Sequence, residues 1–292
     1  MKFAHPKEPY NFGGVAPVAW AKAKVAILPI PYESSTSYGG GTNQGPAAII
    51  EASRHMELWD LELGQDVSRL GFATLPELEP DTSGPEAMNS RIQQTVAGIL
   101  ADKKWPLILG GEHSITPGAV AALKSRYKKL SVLQFDAHTD LRDEYQGSKY
   151  SHACAMKRVY DLGIPAVAVG IRAVSEEEVT FIKKAKLGSR IHYGPNVPLK
   201  EISNQLTEQV YVTFDVDGLD PSILPGTGTP EPGGLMWQQA LDVLREVAKR
   251  KKIVGADVVE LAPIPGQPAG DFLTAKLAYK ILGYAFYGSR LK

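Results

Sequence analysis

The chain has 292 residues, 43% of them hydrophobic, with 32 basic side chains against 32 acidic ones and a single cysteine, Cys154. That length supports one large α/β domain or two smaller ones, and the charge balance excludes the basic footprint of nucleic-acid binding or polybasic membrane contact. One cysteine excludes both an internal disulfide framework and a thiolate-built zinc site.

The opening MKFAHPKEPYNF lacks the apolar segment of a secretory signal, and residues 1–23 read as an irregular arm. No run of about 18 apolar residues occurs, so no membrane span is expected and the expectation is a cytoplasmic protein. VAILPIPY (25–32) reads as the first buried strand. ESSTSYGGGTNQGP (33–46) collects Ser, Thr and Gly into a flexible-looking loop, but no Gly-Lys-Ser/Thr follows, so it is not a phosphate-binding loop. AAIIEASRHMELW (47–59) is helical by its apolar spacing, with Pro46 suited to the first turn. Residues 61–83 are mixed, with a short strand in DVSRLGFATL, and a helix is expected over 86–103. Strand-like stretches at 105–111, 131–136, 166–171, 190–193, 210–216 and 253–261 then alternate with helical patterns. Those patterns lie near 117–127, near 151–162, over 175–186 with a Ser175/Glu178 capping box, and over 269–287. Such alternation indicates a parallel sheet covered on both faces. No linker or repeat interrupts it, which predicts a single domain over 1–292 with any site at the carboxyl ends of the strands.

Three of those strand ends carry ligand-type residues. SVLQFDAHTD (131–140) delivers Asp136, His138 and Asp140 at spacings of two, which face one way on an extended strand. VYVTFDVDGLDP ends on Asp215 and Asp217, and LILGGEHSIT supplies His113. Taken singly, Asp-x-His after a strand reads more often as a polar loop, and Asp-x-Asp before Gly-Leu-Asp-Pro as turn chemistry. Together, four carboxylates without a cation would repel strongly, and two imidazoles with four carboxylates suit a pair of divalent ions sharing carboxylates.

GGEHS (110–114), FDAHTD (135–140) and FDVDGLDPSILPGTGTPEPGGL (214–235) resemble the three metal-binding signatures of the ureohydrolases, which include arginase, agmatinase, guanidinobutyrase and formimidoylglutamase. The likeness runs from the Gly-rich loop to DVVELAP (257–263), and DAHTDLRDEYQGSKYSHACAM is closest to bacterial and archaeal agmatinases. The resemblance implies a three-layer α/β/α domain, a pair of Mn2+ ions and a trimeric or hexameric assembly. It implies His113, Asp136, Asp140 and Asp215 as ligands of one ion, and Asp136, His138, Asp215 and Asp217 as ligands of the other. Asp140 corresponds to a proton carrier, Glu260 to the carboxylate that holds the guanidinium, His152 to an active-site histidine, and Thr229 to a hydroxyl on a guanidinium nitrogen. Many relatives have His-Gly where this chain has His152-Ala153, so the turn there is expected to differ.

The implied reaction is attack of an ionised water on a guanidinium carbon, releasing urea and an amine. Arg142 and Lys149-Tyr150-Ser151 stand where arginases carry the partners of an amino acid head group. The expected substrate is therefore agmatine, then N1-aminopropylagmatine, then guanidinobutyrate, whose carboxylate could meet Arg142 or Lys149. The rim is expected at 38–45 and 142–151. A one-metal deacetylase of related fold and a metal-stabilised scaffold are the rivals. Cys154 is expected to be a buried thiol, His5, His55 and His192 to lack ligand partners, and KKAK (183–186) and KRKK (249–252) to be solvated helix ends.

Overall fold

The computed structural model describes residues 10–291. In chain order its strands are β1 (Val25–Ile30), β2 (Trp59–Asp60), β3 (Gln65–Asp66), β4 (Phe72–Thr74), β5 (Trp105–Gly110), β6 (Leu130–Phe135), β7 (Ala166–Ile171), β8 (Ile191–Tyr193), β9 (Gln209–Asp215) and β10 (Lys252–Val259). Its α-helices are α1 (Gly45–Ser53), α2 (Pro85–Ala101), α3 (Thr116–Arg126), α4 (Ala155–Asp161), α5 (Glu176–Ala185), α6 (Leu199–Gln205), α7 (Trp237–Arg250) and α8 (Ala269–Tyr287). Eight strands form one sheet in the order β4-β1-β5-β10-β9-β6-β7-β8, and every neighbouring pair is parallel.

Alternation along each strand builds two cores. Val25, Ile27, Leu107, Leu109, Leu133, Phe135, Val212 and Phe214 pack on one face with residues of α1, α6, α7 and α8. Ala26, Leu28, Ile108, Val132 and Tyr211 pack on the other with α2, α3, α4 and α5. Both faces are buried because each crossover carries a helix back over the sheet, giving three layers. All strands end on the same edge, so the loops following them share one rim. Among the described residues no helix is long and apolar enough to cross a membrane.

Three expectations need correction. The N-terminal arm is irregular but tied down over its described part: Phe12 is fully buried edge-on to Phe72, and Asn11 exchanges hydrogen bonds with Thr74 and Phe72. His5 lies outside the described residues. The helix expected to reach 59 stops at Ser53, because Trp59 and Asp60 are needed for a two-residue hairpin with Gln65 and Asp66. The Gly-rich loop is held rather than loose, since the Glu33 carboxylate accepts from the Gly41 and Asn43 amides and the Thr42 hydroxyl at 2.8–3.0 Å.

Candidate metal centre and active site

Six side chains from three strand ends meet on the closing edge of the sheet. His113 follows β5 in a single 3-10 turn, Asp136, His138 and Asp140 follow β6, and Asp215 and Asp217 close β9. His113 Nδ1 lies 2.9 Å from Asp140 Oδ2, 3.2 Å from Asp136 Oδ2 and 3.4 Å from Asp215 Oδ2. His138 Nδ1 lies 3.0 Å from Asp217 Oδ2 and 3.6 Å from Asp136 Oδ1. Two donor groups result, His113/Asp136/Asp140 and Asp136/His138/Asp217, and Asp136 belongs to both. Asp215 reaches the first group through Oδ2 while its Oδ1 accepts from the Asp217 amide at 2.9 Å.

The donors are oriented from behind. Thr213, two residues before Asp215 and therefore on the same side of β9, sits 2.9 Å from His113 Nε2. That contact occupies one ring nitrogen and leaves the other aimed at the carboxylates. Thr213 in turn touches Thr116, whose hydroxyl donates to Asp257, as does Tyr211. Gln134 donates to Asp136 Oδ2 at 2.8 Å. Glu178 spends one oxygen on the Ser175 capping box and the other on Thr139 and Leu141, the residues either side of Asp140. Arg172 donates to the carbonyls of Gly170, Asp217, Leu219 and Glu231, stapling the turn after β9. Gly218 is required in that turn, because a Cβ there would lie 2.7 Å from the Asp136 amide nitrogen.

Two donor-bearing loops hold non-glycine residues in the left-handed region, Asp140 at φ 53° and Glu260 at φ 65°. Each such residue costs on the order of 1–2 kcal/mol, which the surrounding hydrogen bonds must offset. Glu260 is buried, and its Oε1 accepts from the His113 amide at 2.6 Å. Glu112, fully buried beside His113, accepts from the Ser34 and Ser35 amides at 2.7 Å and from the Ser35 hydroxyl at 2.9 Å. Ser35 then meets His152, accepting from its amide at 2.9 Å and lying 3.2 Å from its Nδ1. Glu112 thus ties the start of the Gly-rich loop to the floor of the site.

A cavity of about 280 Å³ opens above, lined by His113, His138, Asp140, His152, Asp215, Asp217, Thr229, Glu231 and Glu260, together with Thr36–Gly39, Arg142 and Tyr145. Thr229 leans on Asp217 rather than standing free, its hydroxyl 3.4 Å from Oδ2. The Arg142 guanidinium lies 4.9 Å over the Tyr145 ring, and Lys149 reaches only Asp143, at 4.0 Å. Segment 142–151 closes on itself: Tyr145 and Ser148 exchange backbone hydrogen bonds across Gln146 and Gly147, both left-handed, as in a tight hairpin turn. His152-Ala153 enters a single 3-10 turn before α4.

Electrostatics identify what the cluster lacks. Burial, then the Asp136 charge, pushes Asp140 up to about 7. Burial also carries Asp215 well above the carboxylate range, helped by Asp217 and Asp136, and carries Glu260 up, helped by Glu112. Against burial, the Asp136 and Asp217 carboxylates raise His138 to about 12, and the Asp136, Asp140 and Asp215 carboxylates around Nδ1 raise His113 well above its ordinary value. Asp136 moves the other way, its burial outweighed by the two imidazoles. Protons are being recruited into a site with too much negative charge. His113 Nδ1 is buried without a hydrogen-bond partner although three carboxylate oxygens surround it. An imidazole nitrogen ringed by carboxylates at near-contact distance fits a divalent cation of the oxygen- and nitrogen-preferring kind.

Cys154 is buried and burial pushes its thiol up to about 12, so it offers no thiolate near His152. His192 meets Gln205 and His55 meets Glu51, away from the cluster. Sequence reasoning named the six clustered donors, Glu260, His152 and Thr229. It missed Glu112, Gln134, Thr213, Glu178 and Arg172 as supports, although the Ser175/Glu178 capping box was readable.

A profile of the Arginase family matches residues 23–286. An N(1)-aminopropylagmatine ureohydrolase of Synechocystis sp. is 40% identical over 276 residues, covering 91% of this chain and 90% of the relative. An agmatinase of Pyrococcus horikoshii is 33% identical over 266 residues, covering 89% and 92%. The crystal structure of the agmatine ureohydrolase of Thermoplasma volcanium superposes with a TM-score of 0.83 at 28% identity, covering 98% of this chain and 96% of that one.

Proposed function

The chain belongs to the arginase family and is a hydrolase acting on guanidino groups, a ureohydrolase of the agmatinase or aminopropylagmatine ureohydrolase type, and on that premise we propose that it releases urea from N1-aminopropylagmatine, with agmatine as the second substrate. The observation that carries the reaction is the meeting of His113, His138, Asp140, Asp215 and Asp217 on the wall of a cavity that also holds Glu260, with Asp136 buried just behind them. The substrate order rests on the relative of 40% identity, whereas agmatinases such as that of P. horikoshii stand at 33%. This reverses the first two places of the order read from the sequence. Family membership takes the place of the deacetylase reading.

His113, Asp136, Asp140 and Asp215 would hold one Mn2+, and Asp136, His138, Asp215 and Asp217 the other. When bound, the pair supplies the charge that makes a water molecule nucleophilic near neutral pH. The chain's own residues do the rest. A guanidinium stays protonated at any physiological pH. Glu260, deep in the cavity, presents a carboxylate to that planar cation, and the His113 amide fixes its other oxygen. Asp140, on the cavity wall beside the donors, takes the proton from the attacking water and passes it to the leaving nitrogen. His152, whose pKa burial lowers, is oriented by Ser35, so its imidazole can take the hydroxyl proton of the nascent urea and hand it to the departing amine. Glu231 at the wall suits the amines of a decarboxylated chain.

The test is urea release by the manganese-loaded protein from N1-aminopropylagmatine, agmatine, 4-guanidinobutyrate and arginine under identical conditions. The expected order of kcat/KM follows that sequence. Faster turnover of arginine than of either amine would overturn the substrate assignment, and no urea from any of the four would overturn the reaction.

A further inference from the structure

The opposite edge of the sheet holds a second cavity, of about 320 Å³, whose charge is the inverse of the first. Lys24, Lys103, Lys104, Arg126 and Lys252 line it, and no carboxylate does. Lys24 and Lys252 stand at the openings of β1 and β10, Lys103 and Lys104 follow α2, and Arg126 ends α3. Among the described residues, Lys24, Lys103, Arg126 and Lys252 have no ion-pair or side-chain hydrogen-bond partner, while Lys104 donates to the Ala23 carbonyl at 2.7 Å. Part of this charge answers the helix ends. Two helix C-termini contribute roughly half a negative charge each, offsetting about one of the five cations. Lys24 and Lys252 come from strand openings and have no such role. The KRKK run therefore does not end entirely as solvated helix: its last residue, Lys252, turns into this cavity.

The remaining wall is aromatic. Trp105, Tyr127 and Phe286 line the cavity, with Trp105 and Phe286 6.1 Å apart and tilted by 55°. The Trp105 indole N–H is spent on the Ile253 carbonyl at 3.0 Å, so only its ring faces a ligand. A pocket of a few hundred cubic ångströms that combines flat apolar walls with about four uncompensated cations selects a compact organic polyanion bearing an aromatic ring. We propose that this cavity binds a nucleoside triphosphate, its phosphates among Lys24, Lys103, Arg126 and Lys252 and its base against Tyr127 and Trp105. Neither the ureohydrolase reaction nor the donors at the other edge require it. β5 separates the two sites by six residues, about 20 Å of extended chain.

The experiment is isothermal titration calorimetry of the metal-loaded protein with ATP, tripolyphosphate and citrate. Saturating magnesium is present in cell and syringe, so that the polyphosphates do not strip the centre. ATP is expected to bind most tightly, tripolyphosphate more weakly and citrate least. Affinity for ATP should fall severalfold between about 50 and about 200 mM salt, where the screening length shortens. Lys24→Glu/Arg126→Glu should abolish both phosphate ligands while urea release is unchanged. The milder Lys24→Gln/Lys252→Gln should weaken them about tenfold. Tyr127→Ala should reduce ATP binding severalfold and spare tripolyphosphate. Absence of binding to the native protein, or ATP binding undiminished in a folded charge variant, overturns the site. Equal affinity for ATP and tripolyphosphate with a neutral Tyr127→Ala overturns the nucleotide assignment.

Discussion

The charges gathered under α8 and those at the closing edge of the sheet are built on opposite principles. Under α8, Lys280 contacts Asp60 at 2.9 Å and Glu62 at 2.7 Å, while Glu62 also accepts from Tyr284 and pairs with Arg245. Lys280 and Arg245 face Asp60, Glu62 and Asp242 there, and every carboxylate is answered from within the chain. At the closing edge of the sheet, Asp136, Asp140, Asp215 and Asp217 face only His113 and His138, and Asp140 rises to about 7. The balanced cluster needs nothing from outside and joins the β2–β3 hairpin to a helix. The unbalanced one is stable as folded only if protons or metal cations complete it.

The sharpest way to break that contrast is to remove the donor common to both groups. Asp136→Ala is expected to lower urea release at least about a thousandfold and to reduce bound metal at both positions, as read by elemental analysis of the dialysed protein. Retention of two tightly held ions would contradict the shared role of Asp136. Lys280→Ala strikes the other cluster and should have the reverse signature. Stranding Asp60 costs about 3–5 kcal/mol in denaturant unfolding, while Glu62 keeps Arg245 and Tyr284, and metal content is unaltered in the folded fraction. A loss of metal in Lys280→Ala would show that the clusters are not independent.

Thr213→Val sharpens the comparison from inside the centre. It removes the hydroxyl that fixes the His113 ring, and metal affinity should fall about 10–100-fold at one of two resolved binding steps, measured by competition with a chelator. Equal weakening of both steps would deny that Thr213 acts through His113. The smallest effect is the pH dependence of the balanced cluster. Although burial opposes it, hydrogen bonds from Lys280, Tyr284 and Arg245 hold Glu62 down to about 2. A depressed acid contributes stability above its unfolded pKa of 4.5 and loses it as pH falls toward 2. Glu62→Gln should therefore narrow the stability gap to the native chain steadily between about pH 4.5 and 2, followed by thermal midpoints. Glu62 is partly exposed, so the change is modest. A gap that stays constant over that interval would remove Glu62 from the account.

The balanced cluster was invisible in the sequence, and the reason is distance along the chain. Asp60 and Lys280 are 220 positions apart, and neither sits in a recognisable pattern. The unbalanced cluster was legible because each donor group is local: residues spaced by two after an apolar run betray both the strand and the side they face. The same property explains the successes in the fold. β5, β6, β7, β9 and β10 are near-continuous apolar runs, and α8 begins and ends where its pattern does. What failed depends on contacts that the apolar pattern does not carry. The hairpin of Trp59–Asp60 with Gln65–Asp66 cuts short an apolar helical pattern, and Phe12 becomes core only because Phe72 and Thr74 wait for it. Thr213, Glu112 and Gln134 are ordinary strand and turn residues until folding sets them behind a donor.

The hairpin between Arg142 and Ser151 is anchored at its base, where Asp143 meets Lys157 and Arg158, and turns back on itself at its tip. Its tip is fastened mainly to itself, through Tyr145 and Ser148, and Gly147 has open space around its Cβ position. Residues can be inserted or deleted at that tip without displacing a strand end. Under the proposed function, this tip is the place to change reach toward longer or shorter polyamines, with Tyr145, whose ring meets His152, kept in place.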